Sequence, residues 1–376
     1  MPVRWQSISV GLVLIIAFVL AGVSERREAQ ASGDAYKLNS GPYQVSVVDD
    51  LVLSDQARDK QLEIRVYYPE ADGPFPVLVF SHGMGGSKEV GEDLMAYWAG
   101  HGYIVICPTH ADSIKLYAKE HPDEVDGWVR DMGKRQMMKL LRQTARSPED
   151  WENRARDISL VLDSLSRIED ESPLLRGRLD HRTIGVGGHS YGAYTTMLIG
   201  GAVLDPPGRA ADVSWGDERA DALLVMSGQG VGRLGLTEHS WDGFSLPMMV
   251  MSGTRDNAAG GMDVVSRRDP YDYAPAGDKY LVWIEDAVHA SFTGGLASGD
   301  KRENYRGRWT EWVLGSEDVE SAEFEQIDQQ AIFDYVKTAT LAYWDSNLKA
   351  DNAAAAWLAG KELEVYSEGA VELSTK

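Results

Sequence analysis

The stretch of sequence that decides the fold is Thr183-Ile184-Gly185-Val186-Gly187-Gly188-His189-Ser190-Tyr191-Gly192. Its first five residues are typical of a buried strand, and the residues that follow Ser190 continue as a helical pattern. Its last five residues match G-x-S-x-G, in which glycines permit a sharp turn from strand to helix and the serine hydroxyl is exposed at its tip. The motif is short enough to occur by chance, but the order of strand, turn and helix is met. We therefore interpret Ser190 as a nucleophile rather than as part of an ordinary glycine turn.

Outward from this motif, apolar runs alternate with helical periodicity, which favours an α/β fold with a mostly parallel sheet flanked by helices. Eight strands are predicted, at residues 43–52, 62–68, 76–80, 103–107, 183–187, 222–226, 248–251 and 280–284. Helices are predicted at residues 88–100, 151–168, 191–199 and 351–363, and a long helix or a pair of helices is predicted at residues 322–348.

Two segments interrupt this alternation, at residues 113–150 and 291–320. Both follow strands, and in open α/β sheets the ligand crevice lies outside the carboxyl ends of the strands. We predict lid-like insertions there, with surface excursions that have small cores of their own as the alternative. The sequence predicts a single catalytic domain over residues 32–376.

The N-terminus has the pattern of an export signal. Arg4 precedes an apolar run of 16 residues, 8–23, and Ala29-Gln30-Ala31 offers a cleavage site. The run is shorter than the roughly 20 residues that a membrane-spanning helix needs. We predict a signal peptide over residues 1–31 and a periplasmic or secreted protein, with no stable membrane partner after cleavage. An uncleaved anchor is the alternative.

The formal net charge of −21 disfavours binding to nucleic acid and to anionic membranes, which leaves a small molecule as the expected partner. Cys107 is the only cysteine and lies in an apolar run, so we expect a buried side chain and no intramolecular disulfide. The histidines show no metal-binding spacing such as H-E-x-x-H. No metal or organic cofactor is therefore expected.

A second glycine-rich segment, Phe80-Ser81-His82-Gly83-Met84-Gly85-Gly86, follows the third predicted strand. Beside a nucleophilic serine, such a loop supplies a backbone N–H that stabilises the oxyanion of a tetrahedral intermediate. We assign the backbone N–H groups of Met84 and Tyr191 as the oxyanion hole, with an ordinary glycine turn as the alternative. His82 and His110 are interpreted as structural histidines.

The base of a serine nucleophile follows it in the chain in this type of site. Only two histidines come after Ser190, namely His239 and His289. His289 lies just beyond the apolar strand at residues 280–284, where a catalytic base is expected, whereas His239 precedes a strand. We assign His289 as the base.

The acid that orients the base is expected between the nucleophile and the histidine. Asp256 follows the strand at residues 248–251, so its carboxylate is expected at the same edge of the sheet as His289. Glu285 and Asp286 are closer to His289 in sequence, but near neighbours fold back on a ring with difficulty. We assign Asp256 as the acid.

Several of these segments together resemble α/β-hydrolases of the bacterial dienelactone-hydrolase-like and platelet-activating-factor-acetylhydrolase-like branch. The segments are residues 76–86, 181–201, 248–256, 280–289 and 338–348, the last including Leu341-Ala342-Tyr343-Trp344-Asp345, and the run of residues 180–192 is the most telling. The resemblance implies the α/β-hydrolase fold and the triad of Ser190, Asp256 and His289. True dienelactone hydrolases use cysteine as nucleophile, so Ser190 favours esters over lactones.

We therefore predict a serine hydrolase that cleaves carboxylic esters through an acyl-enzyme on Ser190. Short acyl or acetyl esters, lipids among them, are the expected substrates. The alternatives are an acyltransferase or a peptidase with the same triad, or a non-catalytic binding protein on the same fold.

Overall fold

The computed structural model describes residues 35–122, 147–257, 263–297 and 327–376, and within them nine strands form one sheet. The strands are β1 (Val45–Asp55), β2 (Lys60–Pro69), β3 (Phe75–Ser81), β4 (Ile104–Pro108), β5 (Leu179–His189), β6 (Ala222–Met226), β7 (Met248–Arg255), β8 (Lys279–Val288) and β9 (Val371–Thr375). Their order across the sheet is β1-β2-β4-β3-β5-β6-β7-β8-β9.

The six strands from β4 to β8 in this order are parallel, and antiparallel strands close both edges of the sheet. Every residue of β4 and β6 is buried, as expected for parallel strands that helices cover on both faces. Because parallel strands end at the same edge, the loops after β3, β5, β7 and β8 lie close together. This edge is where all the predicted site residues fall.

The prediction of eight strands was wrong by one, because β9 pairs antiparallel with β8 at the edge of the sheet. Its sequence, Val-Glu-Leu-Ser-Thr, is mostly polar and has no apolar run. An edge strand needs only one buried face, so its signal in the sequence is weak.

Helices lie between the strands and at the C-terminal end. They are α1 (Glu92–Gly100), α2 (Ile114–Glu120), α3 (Pro148–Asp163), α4 (Leu165–Glu171), α5 (Tyr191–Ile199), α6 (Asp269–Tyr273), α7 (Gln329–Leu348), α8 (Asn352–Ala359) and α9 (Glu362–Tyr366). Two short 3-10 helices span Val264–Arg268 and Ser291–Thr293. The single helices predicted at residues 151–168 and 351–363 are each two helices, with breaks at Ser164 and Gly360.

The core has two halves, one on each face of the sheet. On one face α3 and α5 pack on alternate residues of the central strands, and Trp151 and Tyr194 belong to this half. On the other face α1 and α7 pack, and Trp98, Trp344 and the buried, unpaired Cys107 belong to this half. The fold therefore has three layers, helix–sheet–helix, as predicted. The side chain of Cys107 is buried, also as predicted.

Several predictions fall wholly or partly outside the described residues. The signal peptide at residues 1–31 lies outside them, as do residues 123–146 of the first predicted insertion and 298–320 of the second. The described part of the first insertion contains α2 and the start of α3. None of the described helices is both long and apolar enough to cross a membrane.

Candidate active site

Ser190 stands at a strained turn between β5 and α5. Its backbone has φ of 58° and ψ of −117°, a conformation that a non-glycine residue rarely adopts. A Cβ on Gly188 would lie 2.4 Å from the Gly192 carbonyl carbon, and a Cβ on Gly192 would lie 1.8 Å from the Ser81 carbonyl oxygen. The turn therefore requires glycine at both flanking positions, which is the physical content of the G-x-S-x-G motif.

The three side chains assigned to the triad are adjacent in space. The Ser190 Oγ is 2.9 Å from His289 Nε2, and His289 Nδ1 is 2.7 Å from Asp256 Oδ1. Because the carboxylate can only accept a hydrogen bond, Nδ1 carries the ring proton and donates a hydrogen bond to Asp256. Nε2 is then free to accept the proton of the Ser190 hydroxyl. The arrangement can activate a serine for attack on an electrophilic carbon.

The Asp256 carboxylate is fully buried, accepts three hydrogen bonds and forms an ion pair with Arg267. Its Oδ2 accepts the hydroxyls of Ser227 and Ser252, and its Oδ1 accepts His289 and lies 3.1 Å from Nε of Arg267. Burial alone would raise the pKa of Asp256, but Arg267, His289 and the Ser227 hydroxyl together hold that pKa below its ordinary value. Asp256 is thus an ionised acceptor with a fixed orientation.

The pKa of His289 is lowered from its ordinary value, first because the ring is buried and disfavours a charge. Asp256 opposes this shift and the guanidinium of Arg267 adds to it. His289 is therefore neutral at neutral pH, which is the form that can accept a proton.

His189, the residue before the nucleophile, connects the loops of Ser190 and His289. Its Nε2 lies 2.7 Å from the His289 carbonyl oxygen, so it is a donor to the backbone of the base. Burial lowers the pKa of His189 to about 3, so the ring is neutral. This contact fixes the position of His289 relative to the turn that holds Ser190.

The loop of residues 82–86, here called the oxyanion loop, passes beside the nucleophile. A Cβ on Gly83 would lie 3.4 Å from the Ser190 Cβ, within van der Waals contact, so the loop runs directly beside the serine. The Gly85 N–H donates to Asp112 and is already engaged. Among the described residues no acceptor takes the backbone N–H of Met84 or Tyr191. That geometry is compatible with the predicted pair of donors, whose role stays a prediction.

Arg154 of α3 contacts the oxyanion loop through hydrogen bonds and fixes its position. It is buried and donates two hydrogen bonds to Asp112 at 3.0 Å and one to the His82 carbonyl at 2.9 Å. Its guanidinium also lies over the ring of Tyr191, 4.3 Å from the centroid. One side chain thus joins the loop after β3 to the helix after the nucleophile.

The two histidines interpreted as structural belong to the same buried network. His82 Nε2 accepts the His110 N–H, so its Nδ1 carries the proton and donates to the Gly83 carbonyl at 2.7 Å. His110 bridges Ser81 and Asp157, both at 2.9 Å. Ser81 is fully buried and out of reach of a substrate, so this second serine–histidine–aspartate chain has a structural role.

We predict that Arg154→Met lowers the free energy of unfolding by about 3–5 kcal/mol, because it leaves the carboxylate of Asp112 buried without its cation. Arg156→Met on the same helix is the matched control, since Arg156 is exposed and its pair with Glu152 is worth at most about 1 kcal/mol. Urea denaturation followed by circular dichroism measures both. Equal losses in the two variants would contradict the role assigned to Arg154.

The residues rejected as base and acid lie on the surface. The side chain of His239 is 84% exposed and pairs with Asp242. Glu285 and Asp286 are also exposed, and Asp286 lies 3.9 Å from Arg255 rather than beside His289.

Sequence reasoning missed Ser227, Ser252, His189 and Arg267. The two serines had a detectable signal, because each is the first polar residue after a run of apolar strand residues. His189 is the first of the two variable positions of G-x-S-x-G, and Arg267 lies in a 3-10 helix that the alternation of strands and helices does not predict.

In the described ranges, no group of three or more histidine, cysteine, aspartate or glutamate side chains is arranged to hold a metal ion.

A family model described as Chlorophyllase matches residues 34–145 of the chain. The match covers less than half of the chain and ends before Ser190, so it bears on β1 to β4 and the oxyanion loop. It does not support the narrower dienelactone-hydrolase-like and acetylhydrolase-like branch, which stays a prediction. No curated protein matches the sequence. With its mostly parallel sheet flanked by helices and its chlorophyllase-like N-terminal part, the chain has the α/β-hydrolase fold.

Proposed function

We propose that the protein is a serine hydrolase that cleaves carboxylic esters. The observation on which this rests is the continuous chain of hydrogen bonds from Ser190 through His289 to Asp256, at 2.9 and 2.7 Å. The match to a family named for chlorophyllase supports hydrolysis of an ester rather than another reaction of this fold.

The proposed reaction has two halves. Ser190 Oγ attacks the ester carbonyl carbon while His289 Nε2 takes its proton, and the oxyanion is stabilised by the N–H groups of Met84 and Tyr191. The tetrahedral intermediate collapses, and the alcohol leaves with the proton from His289. Water, deprotonated by the same histidine, then attacks the acyl-enzyme and releases the acid.

For the substrate, we propose short acyl or acetyl esters, with acetylated lipids among them. A panel of p-nitrophenyl esters of graded acyl length tests this, extended by an acetylated phospholipid and by chlorophyll. We expect the highest kcat/KM among the shortest acyl chains. A rate that rises steadily with acyl length, or hydrolysis of chlorophyll alone, would contradict this substrate class while leaving ester hydrolysis in place.

Two rival activities use the same triad. An acyltransferase differs from a hydrolase in the molecule that accepts the acyl group, and a peptidase differs in cleaving an amide bond. Added alcohols or amines speed turnover of p-nitrophenyl acetate if the acyl group is transferred to them. Cleavage of the matching p-nitroanilide at a rate similar to the ester indicates a peptidase. We expect neither result.

The pH dependence follows from His289. We expect kcat/KM to fall as the pH decreases through a midpoint below the ordinary histidine pKa of about 6.5, because protonated His289 cannot accept the Ser190 proton and burial lowers its pKa. The measurement is p-nitrophenyl acetate hydrolysis between about pH 4 and pH 8, with circular dichroism to show that the protein stays folded. A flat profile over this range would contradict His289 as base.

A further inference from the structure

A buried arginine lies directly against the acid and base of the proposed triad. Arg267 has no exposed surface, and its Nε lies 3.1 Å from Asp256 Oδ1 and 2.9 Å from the Asp256 carbonyl oxygen. Its Nη1 donates to the backbone carbonyls of Ser227 and Gly228. The guanidinium thus joins the ends of β6 and β7 beneath the catalytic carboxylate.

The same guanidinium lies 3.3 Å from His289 Nδ1 through its Nη2. Both nitrogens are donors, since the Nδ1 proton is directed to Asp256, so this contact is not a hydrogen bond. When His289 is protonated, the contact becomes one between two like charges in a site closed to solvent, where such a repulsion is strong.

Whenever His289 is protonated, the Asp256 carboxylate therefore has to stabilise two cations, the imidazolium and the Arg267 guanidinium. A carboxylate that faced only His289 would stabilise the imidazolium with its full charge. Here Arg267 already compensates much of that charge, since both groups share Oδ1. A buried guanidinium is costly to maintain, which argues for a role beyond filling space.

The other groups that face His289 in the described part of the chain are neutral. His189 from the end of β5 lies with its ring centroid 4.8 Å away and is uncharged, and Ser190 contacts the ring through its hydroxyl. The hydroxyls of Ser227 and Ser252 contact the Asp256 carboxylate and are also neutral. Asp256 and Arg267 are thus the two charges in contact with the base.

We propose that Arg267 is a positioning residue of the triad, which fixes the Asp256 carboxylate and through its charge keeps His289 active as a base at lower pH. The inference rests on the proposed function, because it assigns Arg267 a task in the deprotonation of Ser190.

The test compares Arg267→Met, which removes the charge, with Arg267→Lys, which keeps it. We expect the acid limb of the kcat/KM profile for p-nitrophenyl acetate to move to higher pH by about one unit or more in Arg267→Met. In Arg267→Lys the acid limb should stay near its wild-type position, because the positive charge is retained. A fall in kcat is compatible with this, since lysine cannot reproduce the several hydrogen bonds of the guanidinium.

Arg268→Met is the matched control. Arg268 is the next residue, lies over the ring of Trp283 and does not contact the triad, so its loss should leave the acid limb in place. A folded Arg267→Met variant with an unmoved acid limb would overturn the proposal. If Arg267→Met fails to fold, Arg267→Lys tests the proposal instead. A shift of its acid limb to higher pH, although the positive charge is retained, would also overturn the proposal.

A second readout does not depend on turnover. The downfield proton resonance of the His289 Nδ1–H, followed against pH by NMR, should titrate at higher pH in Arg267→Met than in wild type. If wild-type protein hydrolyses no ester, the proposed function fails, and the NMR comparison still tests the charge effect. If wild type is active and both readouts are unchanged in Arg267→Met, the inference alone fails.

Discussion

Ser190→Ala is expected to lower kcat for p-nitrophenyl acetate by about 10⁴-fold or more and to leave the protein folded. The substitution removes one oxygen, the atom that lies 2.9 Å from His289 Nε2, and no other described hydrogen bond of that hydroxyl is lost. Alanine has no larger side chain to clash at the tight turn. Steady-state kinetics and thermal unfolding, measured on the same preparation, give the two quantities.

Ser54→Ala is the matched control for this experiment. Ser54 lies in the β1–β2 hairpin, where its hydroxyl donates to Gln61, far along the sheet from β5. Its loss should not change kcat. His289→Ala should damage activity about as much as Ser190→Ala, because the two groups act as a unit. Substantial activity in either triad variant would refute the assignment.

Asp256→Asn should lower both activity and stability. We expect a loss in kcat of about 10⁴-fold, because an amide in place of the carboxylate no longer holds His289 with its proton on Nδ1. We also expect the free energy of unfolding to fall by about 3–5 kcal/mol, because Arg267 is left buried without its countercharge. Kinetics and urea denaturation measure the two losses separately.

Two further variants divide these losses by cause. Asp256→Asn combined with Arg267→Met removes both charges, so part of the lost stability should return while activity stays low. Asp286→Asn, at the exposed carboxylate nearest in sequence to His289, should change stability by no more than about 0.5 kcal/mol and leave kcat unchanged. A double variant as unstable as the sum of its parts would show that the two charges do not act as a pair.

The predicted parts of the fold are those in which burial dictates the sequence. β4 and β6 are buried on both faces, so they appear as unbroken apolar runs with recognisable ends. β9 was missed because an edge strand packs on one face only, and Val371 is its one buried residue. The break between α3 and α4 at Ser164 was missed because the apolar periodicity continues through it.

Residues of the candidate site were predictable where a reactive side chain directly follows an apolar strand in the sequence. Ser190, Asp256 and His289 each come at or just after the end of a parallel strand, and the topology brings those ends together. The two buried arginines around them were not predictable in this way. Arg267 reaches Asp256 from a 3-10 helix, and Arg154 reaches the oxyanion loop from α3, so both depend on packing that no local pattern specifies.

The central claim is that Ser190 is an activated nucleophile, and labelling with a fluorophosphonate probe tests it most directly. Wild-type protein should react, mass spectrometry of the digested protein should locate the adduct on the peptide that contains Ser190, and Ser190→Ala should remain unlabelled. Failure of folded wild-type protein to react, or an adduct of equal yield in Ser190→Ala, would contradict the account.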